Sequence, residues 1–94
     1  MAGVRILLQY TAASAEQAEK DIQSRVARCP EIAAEPGCEQ FEVYRSALHP
    51  ERYALVEHWA SEEALADHHK LRGNPPPPAP GITRTREIYE QKSS

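Results

Sequence analysis

The chain has 94 residues, of which 27% are charged, and it carries a formal net charge of -3. This length predicts one small domain covering residues 1–94, and the acidic balance excludes the basic field that draws proteins to nucleic acid or anionic membranes. No apolar run reaches the roughly 20 residues of a membrane helix, and Ile6–Leu8 is too short for a signal-peptide core, which together predict a cytoplasmic protein.

The first predicted element is a strand that begins at Val4. Its alternation places four apolar side chains on one face: Val4, Ile6, Leu8 and Tyr10. Leu7 lies on the opposite face between Arg5 and Gln9. Apolar side chains on both faces indicate that both are at least partly covered.

A helix is predicted to begin after Ser14, because Ser14-x-x-Gln17 fits a capping box. Its apolar stripe recurs at three- and four-residue steps: Ala15, Ala18, Ile22, Val26 and Cys29. Pro30 removes one backbone hydrogen bond and should kink or end the helix. Pro36-Gly37 stops it and turns the chain.

Two strands follow, at 39–46 and 52–59, and a hairpin loop at 48–51 joins them. One face of the second strand carries Tyr53, Leu55, Glu57 and Trp59. Its other face carries Ala54, Val56 and His58. An antiparallel sheet with one solvated face would alternate more cleanly, so this sheet too is predicted to be covered on both sides.

A second helix is predicted after Ser61, a good N-cap, and it ends at Gly73-Asn74. Its apolar stripe consists of Ala64, Leu65, His68 and Leu71. The prolines between Pro75 and Pro80 form a stiff extended connector. The last predicted strand covers residues 82–90.

The resulting order, β-α-β-β-α-β, predicts an α+β protein with the ferredoxin-like split βαβ fold. In this fold two helices cover one face of a four-stranded antiparallel sheet. The other face still carries apolar residues, and a second copy of the same sheet is the simplest cover. The residues therefore predict a homodimer.

The two cysteines, Cys29 and Cys38, could form one disulfide. Nothing indicates an oxidising compartment, and the sequence has no C-x-x-C and no His/Cys cluster with ligand spacing. Both are predicted to be reduced and to act as small, buried apolar residues rather than as a redox pair or metal ligands.

The sequence contains no glycine-rich phosphate loop, nucleophile elbow or H-E-x-x-H motif. Trp59 ends a strand just before a helix, where its indole N–H could bond a ligand oxygen while its ring stacks on an aromatic ligand. The alternative is a large core residue between sheet and helix. His68 lies on an apolar stripe, where a neutral imidazole could accept a phenolic proton as general base. The alternative is a half-buried structural histidine.

Tyr10 and Tyr44 lie in strands and can supply both packing area and a hydroxyl group. Glu57 is an acid within an apolar strand and needs a partner, either in a structural ion pair or as a catalytic carboxylate. Three arginines are candidate partners: Arg5, Arg84 and Arg86. An arginine beside a cavity could instead stabilise a developing phenolate or enolate.

Three motifs carry a resemblance to a known family: Glu35-Pro-Gly-Cys38 leading into Phe41 and Tyr44, then Tyr53-x-x-Val56-Glu57-x-Trp59, then Ala64-Leu65-x-x-His68. In this order they resemble the antibiotic biosynthesis monooxygenase (ABM) family. The resemblance implies a dimeric α+β barrel, in which the sheets of two subunits pack together. It also implies a pocket between sheet and helices in each subunit.

Some members of that family oxidise anthrones or hydroquinones to quinones with molecular oxygen and no cofactor, because the substrate anion supplies the electrons. The resemblance implies such an activity here, on a small aromatic substrate, with His68 and Trp59 as catalytic residues. Four residues would bind the substrate: Tyr10, Tyr44, Arg84 and Arg86. Arginine 84 or 86 would hold the anion.

Haem-degrading relatives place an asparagine near the end of the first strand and a ligating histidine well beyond the position of His68. Here the first position is similar to Tyr10, and Leu71–Pro80 contains no histidine. Neither haem nor a metal is therefore expected. Two rival functions on the same scaffold remain: a non-catalytic ligand-binding or stress-response dimer, and an isomerase or cyclase.

Overall fold

The computed structural model describes residues 3–91. Its elements are β1 (Gly3–Thr11), α1 (Ala15–Ala33), β2 (Cys38–Arg45), β3 (Arg52–Trp59), α2 (Glu62–Arg72) and β4 (Thr83–Gln91). The predicted order β-α-β-β-α-β is confirmed, and each strand boundary lies within one residue of its predicted position.

The four strands form one antiparallel sheet in the order β2-β3-β1-β4, the ferredoxin-like arrangement. Strands β1 and β3 lie in its centre, with Leu8 opposite Leu55 and Tyr10 opposite Tyr53. The face that these four side chains share is buried, and both helices pack against the sheet. The core consists of Val4, Ile6, Leu8, Tyr10, Ala12, Ala18, Ile32, Phe41, Tyr53, Leu55, Trp59 and Ile82.

The start of α1 is capped as predicted, with one difference. The Gln17 amide N–H donates to the Ser14 hydroxyl at 3.1 Å. The Gln17 side-chain oxygen accepts from the Ala13 N–H at 2.8 Å rather than from that of Ser14. Its side-chain nitrogen donates to the Pro80 carbonyl at 2.9 Å. The cap of α1 therefore also attaches the proline-rich connector.

The predicted apolar stripe of α1 is wrong at two positions, because Ala15 and Val26 are both exposed. Val26 is half exposed, whereas Arg25 turns towards the sheet with its side chain 27% exposed. The buried side of the helix starts at Ala18 and continues through Ile22 and Cys29. At 3.6 residues per turn, Arg25 lies about 20° from Ala18 around the axis and Val26 about 80°.

Helix α2 shows the same kind of error at its end. Leu71, predicted on the apolar stripe, is 69% exposed. Arg72, one residue later, instead bonds inward to a carboxylate, four residues after His68 and on the same side of the helix. The orientation of the last turn of α2 is therefore set by the ionic contact of Arg72 and not by burial of Leu71. No helix within residues 3–91 is long and apolar enough to cross a membrane.

Candidate functional site

A cavity of ≈ 90 Å³ lies between the sheet and the helices. Its inner wall is made by the sheet, through Leu8, Tyr10 and Glu57, and α2 contributes His68 and Arg72. The exposed segment 73–76 lines its outer side. An engineered apolar cavity of about 150 Å³ holds benzene, so an aromatic ring would fill the space here and extend through its open side.

Glu35 holds two residues of α2 in place. The His68 Nδ1 donates to Glu35 Oε1 at 2.7 Å, and the Arg72 Nε donates to Oε2 at 2.6 Å. The Glu35 side chain is only 8% exposed. Burial opposes its ionisation, but the hydrogen bonds from Arg72 and His68 prevail and lower the pKa of this carboxyl. An ionised Glu35 keeps the proton of a neutral His68 on Nδ1, which leaves Nε2 as the acceptor nitrogen.

Trp59 supports two cavity residues from behind. Its side chain is fully buried, and its indole Nε1 donates to Glu57 Oε1 at 2.9 Å. The ring centroids of Trp59 and His68 lie 4.6 Å apart with the planes tilted by 33°. Because its N–H is bonded within the protein, Trp59 orients Glu57 and His68. The indole N–H, which the sequence suggested as a donor to a ligand oxygen, is bonded to Glu57 in this structure.

Glu57 is a buried acid on the wall of the cavity. It is 5% exposed, and within residues 3–91 no lysine, arginine or histidine forms a salt bridge with it. The predicted ion pair is therefore wrong. Arg84 donates instead to the Pro76 carbonyl at 2.8 Å, Arg86 is exposed, and Arg5 lies on the other sheet face. Burial raises the pKa of the Glu57 carboxyl despite the Trp59 hydrogen bond.

Tyr10 closes the other end of the cavity. Its ring stacks on that of Tyr53, with centroids 5.2 Å apart, and the Arg25 guanidinium lies 4.1 Å from the Tyr10 centroid. The Tyr10 hydroxyl is buried and has no hydrogen-bond partner within residues 3–91. Burial raises its pKa, opposed by the charges of Arg25 and Arg84. Tyr10 is therefore a neutral phenol.

The structure does not bring every predicted substrate-binding residue to this cavity. Tyr44 lies opposite Ala54, on the sheet face away from the helices, and its hydroxyl accepts from Gln40 Nε2 at 3.2 Å. Arg84 contacts the connector at Pro76, and Arg86 lies on the exposed edge strand. By register, Arg84 and Arg86 lie on the same sheet face as Tyr10 and Leu8, but neither is among the residues that line the cavity. Tyr44 alone of the predicted site residues lies on the opposite face.

The chain matches the family model described as antibiotic biosynthesis monooxygenase over residues 1–73. This chain belongs to that family. Within the family fold, the matched segment contains β1 to α2 and hence Tyr10, Glu35, Glu57 and His68. A comparison with proteins of curated function gives no significant match.

Solved structures share the family fold at low sequence identity. A conserved protein from Bacteroides thetaiotaomicron, described as a "possible oxidoreductase", has a TM-score of 0.77 and 17% identity and covers 96% of this chain and 98% of its own. A "putative antibiotic biosynthesis monooxygenase" from Deinococcus radiodurans has a TM-score of 0.65 and 22% identity and covers 96% and 92%. One with the same description from Nitrosomonas europaea has 0.67 and 18%, over 92% and 88%. These likenesses show the fold.

Sequence reasoning missed Glu35 and Arg72 as site residues and left Glu57 open between two roles. Glu35 was visible only as part of the motif that begins Glu35-Pro-Gly. Its contact with His68 joins residues 33 positions apart. One feature of the sequence could have predicted this site: His68 and Arg72 are four residues apart on one helix face, so that both side chains can bond the same carboxylate.

No three His, Cys, Asp or Glu side chains within residues 3–91 are grouped as metal ligands. Cys29 and Cys38 carry free thiols, and burial raises the pKa of both.

The two tyrosines that stack on each other are expected to respond differently to loss of their hydroxyl groups. Tyr53 donates to Asp21, so Tyr53→Phe should lower the free energy of unfolding by about 1–2 kcal/mol. Tyr10→Phe removes a hydroxyl with no protein partner within residues 3–91 and should change it by less than about 0.5 kcal/mol. Urea denaturation of both variants measures the contrast. Equal losses would show that the Tyr10 hydroxyl is bonded in solution.

Glu35 and Glu57 are expected to give opposite dependences of stability on pH. The lowered pKa of Glu35 stabilises the fold above the ordinary carboxyl pKa of about 4, and this contribution is lost as pH falls through the lowered value. The raised pKa of Glu57 stabilises the fold below that ordinary value, and the contribution is lost as pH rises through the raised one. Three charged or titratable groups act on Glu57: His68 from α2, Arg86 from β4 and Glu35.

Denaturation of Glu35→Gln and Glu57→Gln across the acid-to-neutral range measures these contributions. Glu35→Gln should be less stable than the parent by about 1–3 kcal/mol at neutral pH, and the difference should shrink on acidification. Glu57→Gln should instead gain on the parent as pH rises. A stability difference independent of pH in both variants would contradict the assignment of the two shifts.

Proposed function

We propose that this protein is a cofactor-independent monooxygenase that oxidises a small phenolic or quinol substrate with molecular oxygen. One observation carries the proposal: a histidine whose Nδ1 lies 2.7 Å from the Glu35 carboxylate lines a cavity in a member of the antibiotic biosynthesis monooxygenase family. A base held in this way suits removal of a hydroxyl proton near neutral pH.

In the proposed reaction His68 Nε2 takes the proton of the substrate hydroxyl. The resulting anion passes one electron to O₂, and the substrate radical and superoxide then combine through a new C–O bond to a peroxide. Breakage of its O–O bond and of the C–H bond at the same carbon, with the proton held by His68, releases water and leaves a carbonyl. The substrate thus supplies all four electrons that reduce O₂, and no protein group changes oxidation state. Glu35 keeps the imidazole in the required tautomer and stabilises its charged form.

The volume of the cavity limits how the substrate binds. Because ≈ 90 Å³ is less than one aromatic ring fills and the cavity is partly open, a bound ring either projects from it or displaces the outer wall. Helix α2 ends at Arg72, and Gly73 follows it with a φ of 79° and no heavy atom within 4 Å of where its Cβ would lie. The prolines that follow are stiff and Arg84 holds the Pro76 carbonyl, so Gly73 is the point of this wall that can rotate.

A homodimer is part of the proposal. The sheet face away from the helices carries Leu7, Ala54 and Val56, and the exposed rings of Tyr44 and Tyr89 lie there too. A second copy packed on this face would remove the apolar surface from water. Sedimentation at micromolar concentration tests it, and a folded monomer at that concentration would contradict it.

Oxygen uptake with a panel of anthrones and hydroquinones, under metal-free conditions, tests the activity. We expect at least one compound to be consumed faster with protein than in buffer, with one O₂ used for each quinone formed. No acceleration with any compound would contradict the oxygenase. Product formation under nitrogen would indicate an isomerase or cyclase, and an aromatic compound that binds but stays unchanged in air would indicate a binding protein.

A further inference from the structure

Glu57 has no role in the deprotonation by His68, yet its position is unusual for a structural acid. It is 5% exposed, lines the cavity and extends from β3 on the same wall as Leu8. Oε1 accepts from Trp59 Nε1 at 2.9 Å, and the carboxyl makes no other hydrogen bond within residues 3–91. A buried carboxyl with a single neutral donor is costly to ionise. It therefore needs a reason to be present.

We propose that Glu57, in its protonated form, donates a hydrogen bond from Oε2 to the substrate oxygen from which His68 Nε2 takes the proton. This inference rests on the proposed function and assigns the stabilisation of the anion to a residue of this chain. In the step the substrate O–H bond breaks and a His68 N–H bond forms. Glu57 keeps its own proton, and no electron moves.

The surroundings of Glu57 favour the neutral acid. Burial raises its pKa and the Glu35 carboxylate raises it further, while Trp59, His68 and Arg86 oppose the shift without reversing it. A protonated carboxyl in such a site can donate a hydrogen bond to an oxyanion without a second buried charge.

Trp59 sets the geometry of the acid and the base together. Its N–H holds Oε1 as the acceptor oxygen of Glu57, which leaves Oε2 to carry the proton. Its ring lies against the His68 ring. The Nδ1 of that ring is bonded to Glu35. The proposed acid and the proposed base are thus both held by one indole, and neither Arg84 nor Arg86 is needed to hold the anion.

Anaerobic titration with 4-nitrophenol tests the inference, because its phenolate absorbs visible light and ionisation of the bound probe is seen directly. With the parent protein we expect the bound probe to ionise at lower pH than the free probe. Glu57→Gln should keep this shift, since the amide accepts from Trp59 and donates N–H to the phenolate. Glu57→Leu should weaken phenolate binding by about 10-fold or more. Glu63→Gln, an exposed acid in the first turn of α2 that does not line the cavity, is the control and should change nothing.

The pH dependence separates this role from a structural one. Binding of the phenolate to the parent should weaken as pH rises through the pKa of Glu57, whereas binding to Glu57→Gln should not. A parent and Glu57→Gln with the same pH dependence, Glu57→Leu with parental affinity, or no binding of the probe would each overturn the inference. Because the titration needs no oxygen, oxygen uptake decides the proposed function separately.

Discussion

His68→Ala is expected to lower the rate of quinol-dependent oxygen uptake by about 10²–10⁴-fold, the range that a positioned general base contributes. The variant removes the Nε2 that would take the substrate proton, while Arg72 still holds Glu35. The fold should therefore survive with its carboxylate partly satisfied. The measurement is kcat/KM for oxygen consumption as a function of pH, and the loss should be smallest at high pH, where the substrate ionises in solution.

Two controls make the result specific. His49→Ala changes an exposed histidine in the loop between β2 and β3 and should leave the rate unchanged. Denaturation of His68→Ala shows whether the protein is still folded under assay conditions. A folded His68→Ala with the parental pH profile would show that another group takes the proton.

Gly37→Ala is expected to lower the free energy of unfolding by about 2–5 kcal/mol, the sum of backbone strain and overpacking. Gly37 has a φ of 81°, which side chains rarely adopt, and a Cβ there would lie 2.5 Å from the Ala64 Cβ on α2. Gly37 also accepts a hydrogen bond from the Ala60 N–H at 2.8 Å. The turn after Glu35 therefore packs directly on the helix that carries His68.

Gly73→Ala is the matched control for that variant. Gly73 has nearly the same φ, 79°, but no heavy atom lies within 4 Å of its added Cβ. Its ψ of 175° places it in a backbone region that essentially only glycine adopts, so Gly73→Ala should lose about 1–3 kcal/mol from the backbone alone. Urea denaturation of both variants isolates the packing part as their difference. Similar losses in the two would show that α2 moves away from the turn at little cost.

The order of elements and the central strand were predictable, because both depend on local alternation and turn residues. The residue range of β3, from Arg52 to Trp59, agrees with the prediction to the residue. Helix faces were less predictable. In α1 Arg25 turns inward instead of its neighbour Val26, and in α2 Arg72 turns inward instead of Leu71. In both helices the orientation of the arginine depends on a carboxylate that bonds it.

The candidate site divides in the same way. Trp59 and His68 could be selected as an aromatic residue at a strand end and a histidine on an apolar stripe, and they do lie together. The structure was needed to show that the Trp59 N–H donates to Glu57 and that Tyr44 lies on the sheet face away from the helices. The sequence showed that burying Glu57 would be costly. It could not show that no salt bridge forms with Glu57 among residues 3–91, because that depends on every side chain packed around it.

By itself the order of residues determined the α+β architecture and the strand faces, because these follow from patterns within a few residues of each other. The tertiary structure alone decided which polar groups far apart along the chain meet: Glu35 with His68 and Arg72, and Gln17 with the Pro80 carbonyl. A hydrogen bond needs its atoms within about 3 Å. Residues far apart along the chain reach that distance only when the helices have packed on the sheet.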